Sequence, residues 1–381
     1  MDFNFKEEQL AFADALKRWV TKDYSFETRK KIVHSDAGTS DAAWATLAEL
    51  GMLALPVPEE QGGFNGTAVD MFVVMQELGR GLVVEPYFAT VLGAHFLALG
   101  GKHPDLLAQV AGGELKLACA LAEKQARHDL SDIATTAVAN GGGYLLNGHK
   151  SVVVHGGQAG SLIVSARSSG AQRGVGGVSL FVVPVDAAGV TVRDYRTLDG
   201  QRAAEIALAN VQLPAASLIG SEGQGWDLLD AGADYGAGLL CAEALGAMEA
   251  IFAATLDYLK TRTQFGAPIG KFQALQHRMA DMYIHLEQAR SMALLAAVRL
   301  ASTDVEERRR TVSAAKFRVG QALKFVGQQA VQLHGGMGVT DELPAAHHFK
   351  RLTMIELSLG DSDHHLQRFI AQPGFAAGDM A

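Results

Sequence analysis

The stretch from Tyr144 to Leu213 constrains the chain most. It strings together YLLNGHKSVVV (144–154), SLIVSAR (161–167), VSLFVVPV (178–185), VTVRDY (190–195) and AAEIALANVQL (203–213), joined by short turn material. No helical period intervenes, and strands at such close spacing imply an antiparallel barrel or sandwich. Within the first segment, Asn147-Gly148 between apolar alternations reads as a hairpin turn. On either side the period changes. EEQLAFADALKRWV (7–20) sets Leu10, Phe12, Leu16, Trp19 and Val20 on the buried face of an amphipathic helix. Helical patterning continues to Gly112-Gly113, broken at PVPEEQGG (56–63) and Glu85-Pro86. From Trp226 it returns, and Ala315, Val319, Leu323, Val326, Ala330 and Leu333 share one face of a helix that stops at Gly335-Gly336. The pattern is mainly α with a central β domain: an N-terminal helical domain over 1–113, a β domain over 114–222 and a C-terminal helical bundle over 223–381. A length of 381 residues supports more than one core. No internal repeat is visible.

A net charge of −8 argues against nucleic acid as the main partner, while leaving room for a local basic pocket. The only two cysteines, Cys119 and Cys241, each lie between alanine and leucine or alanine neighbours, which is neither a disulfide framework nor a metal spacing. The N-terminus carries acids and lacks the apolar core of a signal peptide. No apolar run approaches the ~18 residues a membrane helix needs, so a soluble, cytoplasmic chain with no membrane partner is expected. STDVEERRR (302–310) reads as a solvated connection between long helices, SSGAQRGVGG (168–177) as a mobile loop between strands, and AQPGFAAGDMA (371–381) as a frayed tail.

Candidate chemistry lies in the helical C-terminal part. The glycines of HGGMG (334–338) let backbone N–H groups approach an anion closely, although a glycine pair behind a helix also serves as a plain C-cap. In TRTQFGAPIGKFQ (261–273), Arg262 stands near an aromatic and a helix end, where it can pair with a pyrophosphate or remain a surface arginine.

RTQFGAPIGKFQ, followed about seventy residues later by QLHGGMGVTDELPAAHHFKR, resembles the C-terminal signature of the acyl-CoA dehydrogenases, and LNGHK (146–150) and the N-terminal helix with EEQ fit as well. The resemblance covers almost the whole chain. It implies an N-terminal helical domain, a central β domain, a C-terminal four-helix bundle and a flavin reaction in lipid catabolism. A carboxylate removes the α-proton of an acyl-CoA thioester while the β-hydride passes to FAD, and electron-transfer flavoprotein accepts the electrons. Each FAD site of the family is built from two subunits. The resemblance implies that Arg262, Gln264 and Phe265, with Gln332, Gly335 and Gly336, serve the FAD of a neighbouring subunit.

The receiving half departs from the family pattern. A threonine that bonds the flavin is replaced by Ala122, in Ala122-Glu123-Lys124. A ligand-contacting G-S-D triplet reads Arg127-His128-Asp129. The tryptophan and threonine that pack on and bond to the flavin ring are Val152 and Val154. The usual catalytic glutamate falls on Leu359, before Gly360; the alternative base position falls on Gly236, with Ala237 where an arginine orients substrate. The catalytic base is therefore unknown, with Asp361, Glu356 and Asp234 as displaced candidates. Three expectations stay open: a subunit that lends half of an FAD site to a paralogous partner, a self-sufficient homo-oligomer with a relocated base, and a non-redox acyl-CoA-binding or scaffold paralogue. The ending HHFKRLTMIELSLGDSDHH resembles the smaller subunits of bacterial heteromeric acyl-CoA dehydrogenases.

Overall fold

The structure, a computed structural model, describes residues 5–372; most of the C-terminal tail lies outside them. Helices α1 (Glu7–Lys22), α2 (Phe26–His34), α3 (Asp41–Glu49), α4 (Ala68–Arg80), α5 (Tyr87–Gly100) and α6 (Pro104–Ala111) come first. Strands β1 (Leu117–Ala120), β2 (Thr136–Asn140), β3 (Gly143–Val154), β4 (Ser161–Arg167), β5 (Val178–Pro184), β6 (Val190–Arg196), β7 (Arg202–Pro214) and β8 (Leu218–Ile219) follow. Then come α7 (Trp226–Thr261), the short pair β9 (Thr263–Gln264) and β10 (Ala267–Pro268), α8 (Gln273–Arg299), α9 (Val305–His334), α10 (Pro344–Leu357) and α11 (Ser362–Ile370).

The chain divides into two compact units, each described by itself. One holds residues 32–67 and 84–236. Its sheet runs β6-β7-β3-β2-β4-β5-β8, with β1 beside β4. The pairings are antiparallel except β1–β4 and β2–β4, which are parallel. Leu146, Val164, Phe181, Ile206 and Val211 form a fully buried core on one sheet face. The hairpin expected at Asn147-Gly148 is not there: β3 runs straight through that pair, and the β2–β3 turn falls at Gly141-Gly142, both at positive φ (58° and 84°). The pair instead marks a bulge against β7, where Asn147 Oδ1 accepts the N–H of Asn210 at 2.8 Å. A Cβ on Gly148 would come within 2.3 Å of Thr135 Oγ1, so this glycine serves close approach rather than a turn. The loop 168–177, read as mobile, is pinned. The guanidinium of Arg167 donates to the carbonyls of Ser131, Gln172 and Gly176 at 2.7, 2.8 and 2.6 Å, and Asp132 accepts from Gln172 and Arg173.

The other unit holds the described residues up to Lys31, then 68–83, and from Ala237 onward. Here α8 and α9 pack as a long hairpin, α10 and α11 lie on α9, and α1 packs on α4. Two glycines let α4 and α7 touch backbone to backbone: a Cβ on Gly246 would lie 1.8 Å from the Gln76 carbonyl oxygen, and one on Gly79 2.1 Å from that of Glu243. Charged pairs then lock the helices. Glu249 takes Arg80 and Arg290, both at 2.5 Å, and buried Arg351 grips both oxygens of Glu243 at 2.5 and 2.8 Å. The charged stretch 302–310 is mostly helix rather than connection. Asp304 caps α9 by accepting from the N–H groups of Glu306 and Glu307, and those two acids sit in the positive first turn.

The expectation that no apolar run reaches membrane-spanning length fails for α7. Its 36 residues pass that test by length and composition, and it alone does so among the described residues. Of its most apolar window, 67% is buried inside the protein, as in a core helix packed on several sides.

Candidate cofactor site

Helix α7 ends where the Arg262 N–H bonds the carbonyl of Tyr258, and the Arg262 carbonyl then accepts from Ile269 at 2.8 Å. Between these, β9 and β10 form a tight hairpin whose tip, Phe265-Gly266, lies at positive φ (53° and 76°). Phe265 is 91% exposed, the extreme among the exposed large apolar side chains of the described residues, and meets Phe272 edge-on. Arg262 and Gln264 are exposed too, and the Arg262 guanidinium has no hydrogen-bond partner among the described residues. Helix α9 stops as Gly335 turns to φ 61° and donates to the Gln332 carbonyl. The glycine pair is thus a C-cap on which the Gly335 N–H is spent, and a Cβ on Gly335 or Gly336 would meet nothing within 4 Å, so the turn leaves open space beside both residues. Two contacts bring both motifs to one end of the bundle. Tyr258 stacks on His334 at 4.6 Å, and Arg278 donates to Gln329 at 2.6 Å. The result is a guanidinium, an exposed ring and an open glycine turn on one edge, which suits the phosphates and a flat ring of a dinucleotide.

In the β unit, a cleft of about 790 Å³ is lined by Ala122, Arg127, His149, Val152, Arg193 and Glu205, among others. The Ser151 N–H donates to the Ala122 carbonyl at 2.9 Å and so joins the two segments in which a flavin-binding hydroxyl and indole are missing. Val152 sits at a bulge with φ 53°, a strained place for a β-branched residue. Its N–H is already used, donating to Glu205 Oε1 at 3.2 Å, where the Tyr195 hydroxyl also donates at 3.1 Å. Burial raises the Glu205 pKa, but the Val152 N–H, Ser151, Tyr195 and His149 outweigh it and hold the carboxyl below its usual range. Val154 is half-buried, paired with Ala203, and outside the cleft lining.

Lys150, from the LNGHK motif, is a structural anchor. Fully buried, it donates to Glu123 Oε1 at 2.7 Å and to Ser165 Oγ at 3.0 Å. Glu123 also accepts the N–H groups of Ala134 and Thr135, at 2.8 and 3.1 Å. Burial opposes both charges. It takes Lys150 down to about 8, whereas in Glu123 it is outweighed by the lysine and the amide donors, leaving a pKa of about 2. Asp129, the remnant of the ligand-contacting triplet, accepts from the N–H and hydroxyl of Ser131 at 2.9 and 2.6 Å and so shapes a local turn.

None of the displaced bases stands ready for a substrate. Leu359, at φ 51°, and Gly360, at φ 100°, form a left-handed corner between α10 and α11. Buried Lys316 fixes that corner by donating to the carbonyls of Ile355, Glu356 and Gly360 at 3.0, 3.1 and 2.8 Å, and His365 Nε2 donates to the Leu359 carbonyl at 2.9 Å. Glu356 is 3% exposed; its Oε1 takes the N–H and hydroxyl of Ser362 and the ammonium of Lys324, at 2.9, 2.7 and 2.6 Å. Asp361 is the N-cap of α11, bonded to the His364 N–H at 2.8 Å. Gly236 and Asp234 are both buried within α7. The sequence reading missed Glu205 and Lys316, and for Lys316 the available signal is a basic residue on an otherwise apolar helix face. The pair His364-His365, read from the sequence as surface or structural rather than catalytic, has His365 buried.

A helical–β–helical chain with an exposed, anion-receptive edge has the build of a flavin-dependent oxidoreductase. Residues 6–103, 118–213 and 223–372 match the N-terminal, middle and C-terminal domains of acyl-CoA dehydrogenase. The chain belongs to the acyl-CoA dehydrogenase family, whose members oxidise acyl-CoA with FAD. It is 29% identical to a probable acyl-CoA dehydrogenase of Bacillus subtilis, over 97% of this chain and 98% of that one. Its fold matches butyryl-CoA dehydrogenase from Megasphaera elsdenii with a TM-score of 0.89 at 26% identity, covering 97% and 98% of the two chains. It also matches a chain of the ChsE4-ChsE5 complex from Mycobacterium tuberculosis with a TM-score of 0.87 at 26% identity, covering 97% of each.

The residues present fit one half of an FAD site and not the other. Arg262, Gln264, Phe265, Gly335 and Gly336 are exposed, and a Cβ on either glycine would meet nothing within 4 Å. The cleft at Ala122 and Val152 offers neither the hydroxyl nor the indole, and its Val152 N–H is already engaged by Glu205.

Proposed function

We propose that this chain is a subunit of an FAD-dependent acyl-CoA dehydrogenase heteromer, lending Arg262, Gln264, Phe265, Gln332, Gly335 and Gly336 to the FAD of a paralogous partner. One observation carries the reading: Arg262, Gln264, Phe265 and the glycine turn of the lending edge are exposed, while the cleft that would receive a flavin has apolar side chains at the contact positions and an occupied backbone donor. The exposed apolar Phe265, Met337 and Val339 beside the lending motifs favour a chain that closes over them. The likeness to a chain of a two-component complex points the same way.

FAD, bound in the partner's cleft, supplies the hydride acceptor. This chain would contribute charge and orientation: the Arg262 guanidinium would neutralise pyrophosphate, the open turn at Gly335-Gly336 would let it approach the backbone closely, and Phe265 would cover an apolar face of the cofactor. The base comes from the partner, because Leu359 cannot take a proton and Asp361 is committed to its helix cap. Electron-transfer flavoprotein would be the partner that accepts electrons from the loaded assembly, and a cytoplasmic location goes with that role. The test is turnover of an acyl-CoA panel with an artificial electron acceptor. This chain alone should show no turnover, and an assembly with its partner should turn over and lose activity on Arg262→Ala. Ordinary turnover by this chain alone would sink the reading.

A further inference from the structure

The turn that carries Gly335 and Gly336 is a short 3-10 helix, Gly335–Val339, open beside those two glycines and packed inward at buried Gly338, where a Cβ would lie 2.5 Å from the Val331 carbonyl oxygen. The near end is the α9 C-cap, where the Gly335 N–H meets the Gln332 carbonyl. At the far end, Thr340 closes back on the Met337 carbonyl through its N–H and hydroxyl, at 3.3 and 2.9 Å, and the chain reaches Asp341. There His347, on the first turns of α10, holds the Asp341 carbonyl with Nε2 at 3.1 Å.

The ring of His347 is itself fixed. Its Nδ1 lies 3.1 Å from Arg29 Nη1, and a guanidinium can only donate, so Nδ1 accepts and the proton sits on Nε2. Arg29 is 1% exposed and anchored by Nε to the Leu82 carbonyl at 2.8 Å. Phe26 packs edge-on against the imidazole at 4.9 Å. The other charged groups facing this ring are Asp341, Lys350 and its neighbour His348, and Lys350 grips Asp341 Oδ1 at 2.7 Å. Burial lowers the His347 pKa, and Arg29 and Lys350 add to that against the opposing pull of Asp341, so the ring is neutral and the tautomer holds at neutral pH.

We propose that His347 is a positioning residue for FAD binding: oriented by Arg29, it holds the Asp341 carbonyl and thereby helps set the open turn at Gly335-Gly336 that the cofactor approaches. The inference rests on the lending role proposed above. It assigns His347 no contact with FAD; the ring acts through the backbone of the turn, as an outer partner orients an inner ligand.

Two substitutions separate the ring's two bonds. His347→Asn keeps an acceptor near the Nδ1 position for Arg29 but falls short of Asp341. His347→Gln reaches toward Asp341 with an amide donor in the Nε2 position. Each is made in the full, flavin-loaded assembly, and FAD is removed and titrated back while flavin fluorescence reports binding. Loss of one backbone-fixing hydrogen bond predicts roughly five- to tenfold weaker FAD binding for His347→Asn, with His347→Gln restored to within about twofold. The proposal is overturned if His347→Asn binds FAD like the parent, or if both variants lose equally, which marks a merely structural ring. Arg262→Ala, run in parallel, should also weaken binding. If Arg262→Ala weakens FAD binding and His347→Asn does not, the lending role stands and the positioning role falls. If Arg262→Ala leaves FAD binding unchanged, the lending role falls and takes the positioning role with it.

Discussion

At the scale of single residues, the departures from the family pattern have been absorbed into structure. Asp361, two positions beyond Leu359, is a helix cap. Asp361→Ala should therefore cost about 1 kcal/mol of stability and leave turnover of the assembled enzyme unchanged; abolished turnover with normal folding would restore Asp361 as a base. Buried histidines give the chain a pH signature. His348 and His365 are neutral in the folded chain, because burial above all holds their pKa values down, to about 3 and about 2. Once unfolded, both take up protons below pH ~6.5, so the unfolded chain binds more protons there. Their stabilising contribution is whole above that pH and falls by about 1.4 kcal/mol per ring for each pH unit below it. Urea unfolding between pH 7.5 and 5.5, values that bracket ~6.5, should show that downturn, and a flat profile would contradict it. Such roles are illegible in the sequence, where an aspartate or a histidine pair looks the same whether it caps, packs or catalyses.

At the scale of elements, what was legible followed periodicity, and what failed followed three-dimensional contact. The amphipathic face through Ala315, Val319, Leu323, Val326 and Ala330 is buried along α9, because a helical period states which side turns inward. Asn147-Gly148 misled because glycine has two uses, and the one at work, close approach to Thr135, depends on a residue of a preceding loop. The loop 168–177 misled for a similar reason: its anchor, Arg167, lies just outside it on β4. The lending role rests on the family resemblance, but the exposed turns at Phe265-Gly266 and Gly335-Gly336 were legible because tight turns and helix stops leave local marks. The engaged Val152 N–H was not, since Glu205 reaches it from a strand far along the chain. The crossing of α4 and α7 offers a direct check. Gly246→Ala would drive a methyl group to 1.8 Å from the Gln76 carbonyl oxygen, and forcing those helices apart should cost about 3 kcal/mol. A change in unfolding free energy under about 0.5 kcal/mol would mean that the contact is looser than described.

For the whole molecule, the asymmetry between an intact lending edge and an altered receiving cleft is the central claim, and it is a claim about stoichiometry. A chain that only lends cannot hold FAD in its own cleft, however many copies associate. The most direct measurement is FAD per chain, from visible absorbance after denaturation. It is made first on this protein purified alone, then on the assembly it forms with its paralogous subunit. The account predicts almost no FAD in the first case and about one FAD for every two chains in the second. About one FAD per chain in the protein purified alone would show that the cleft at Ala122 and Val152 still completes a flavin site, and would contradict it.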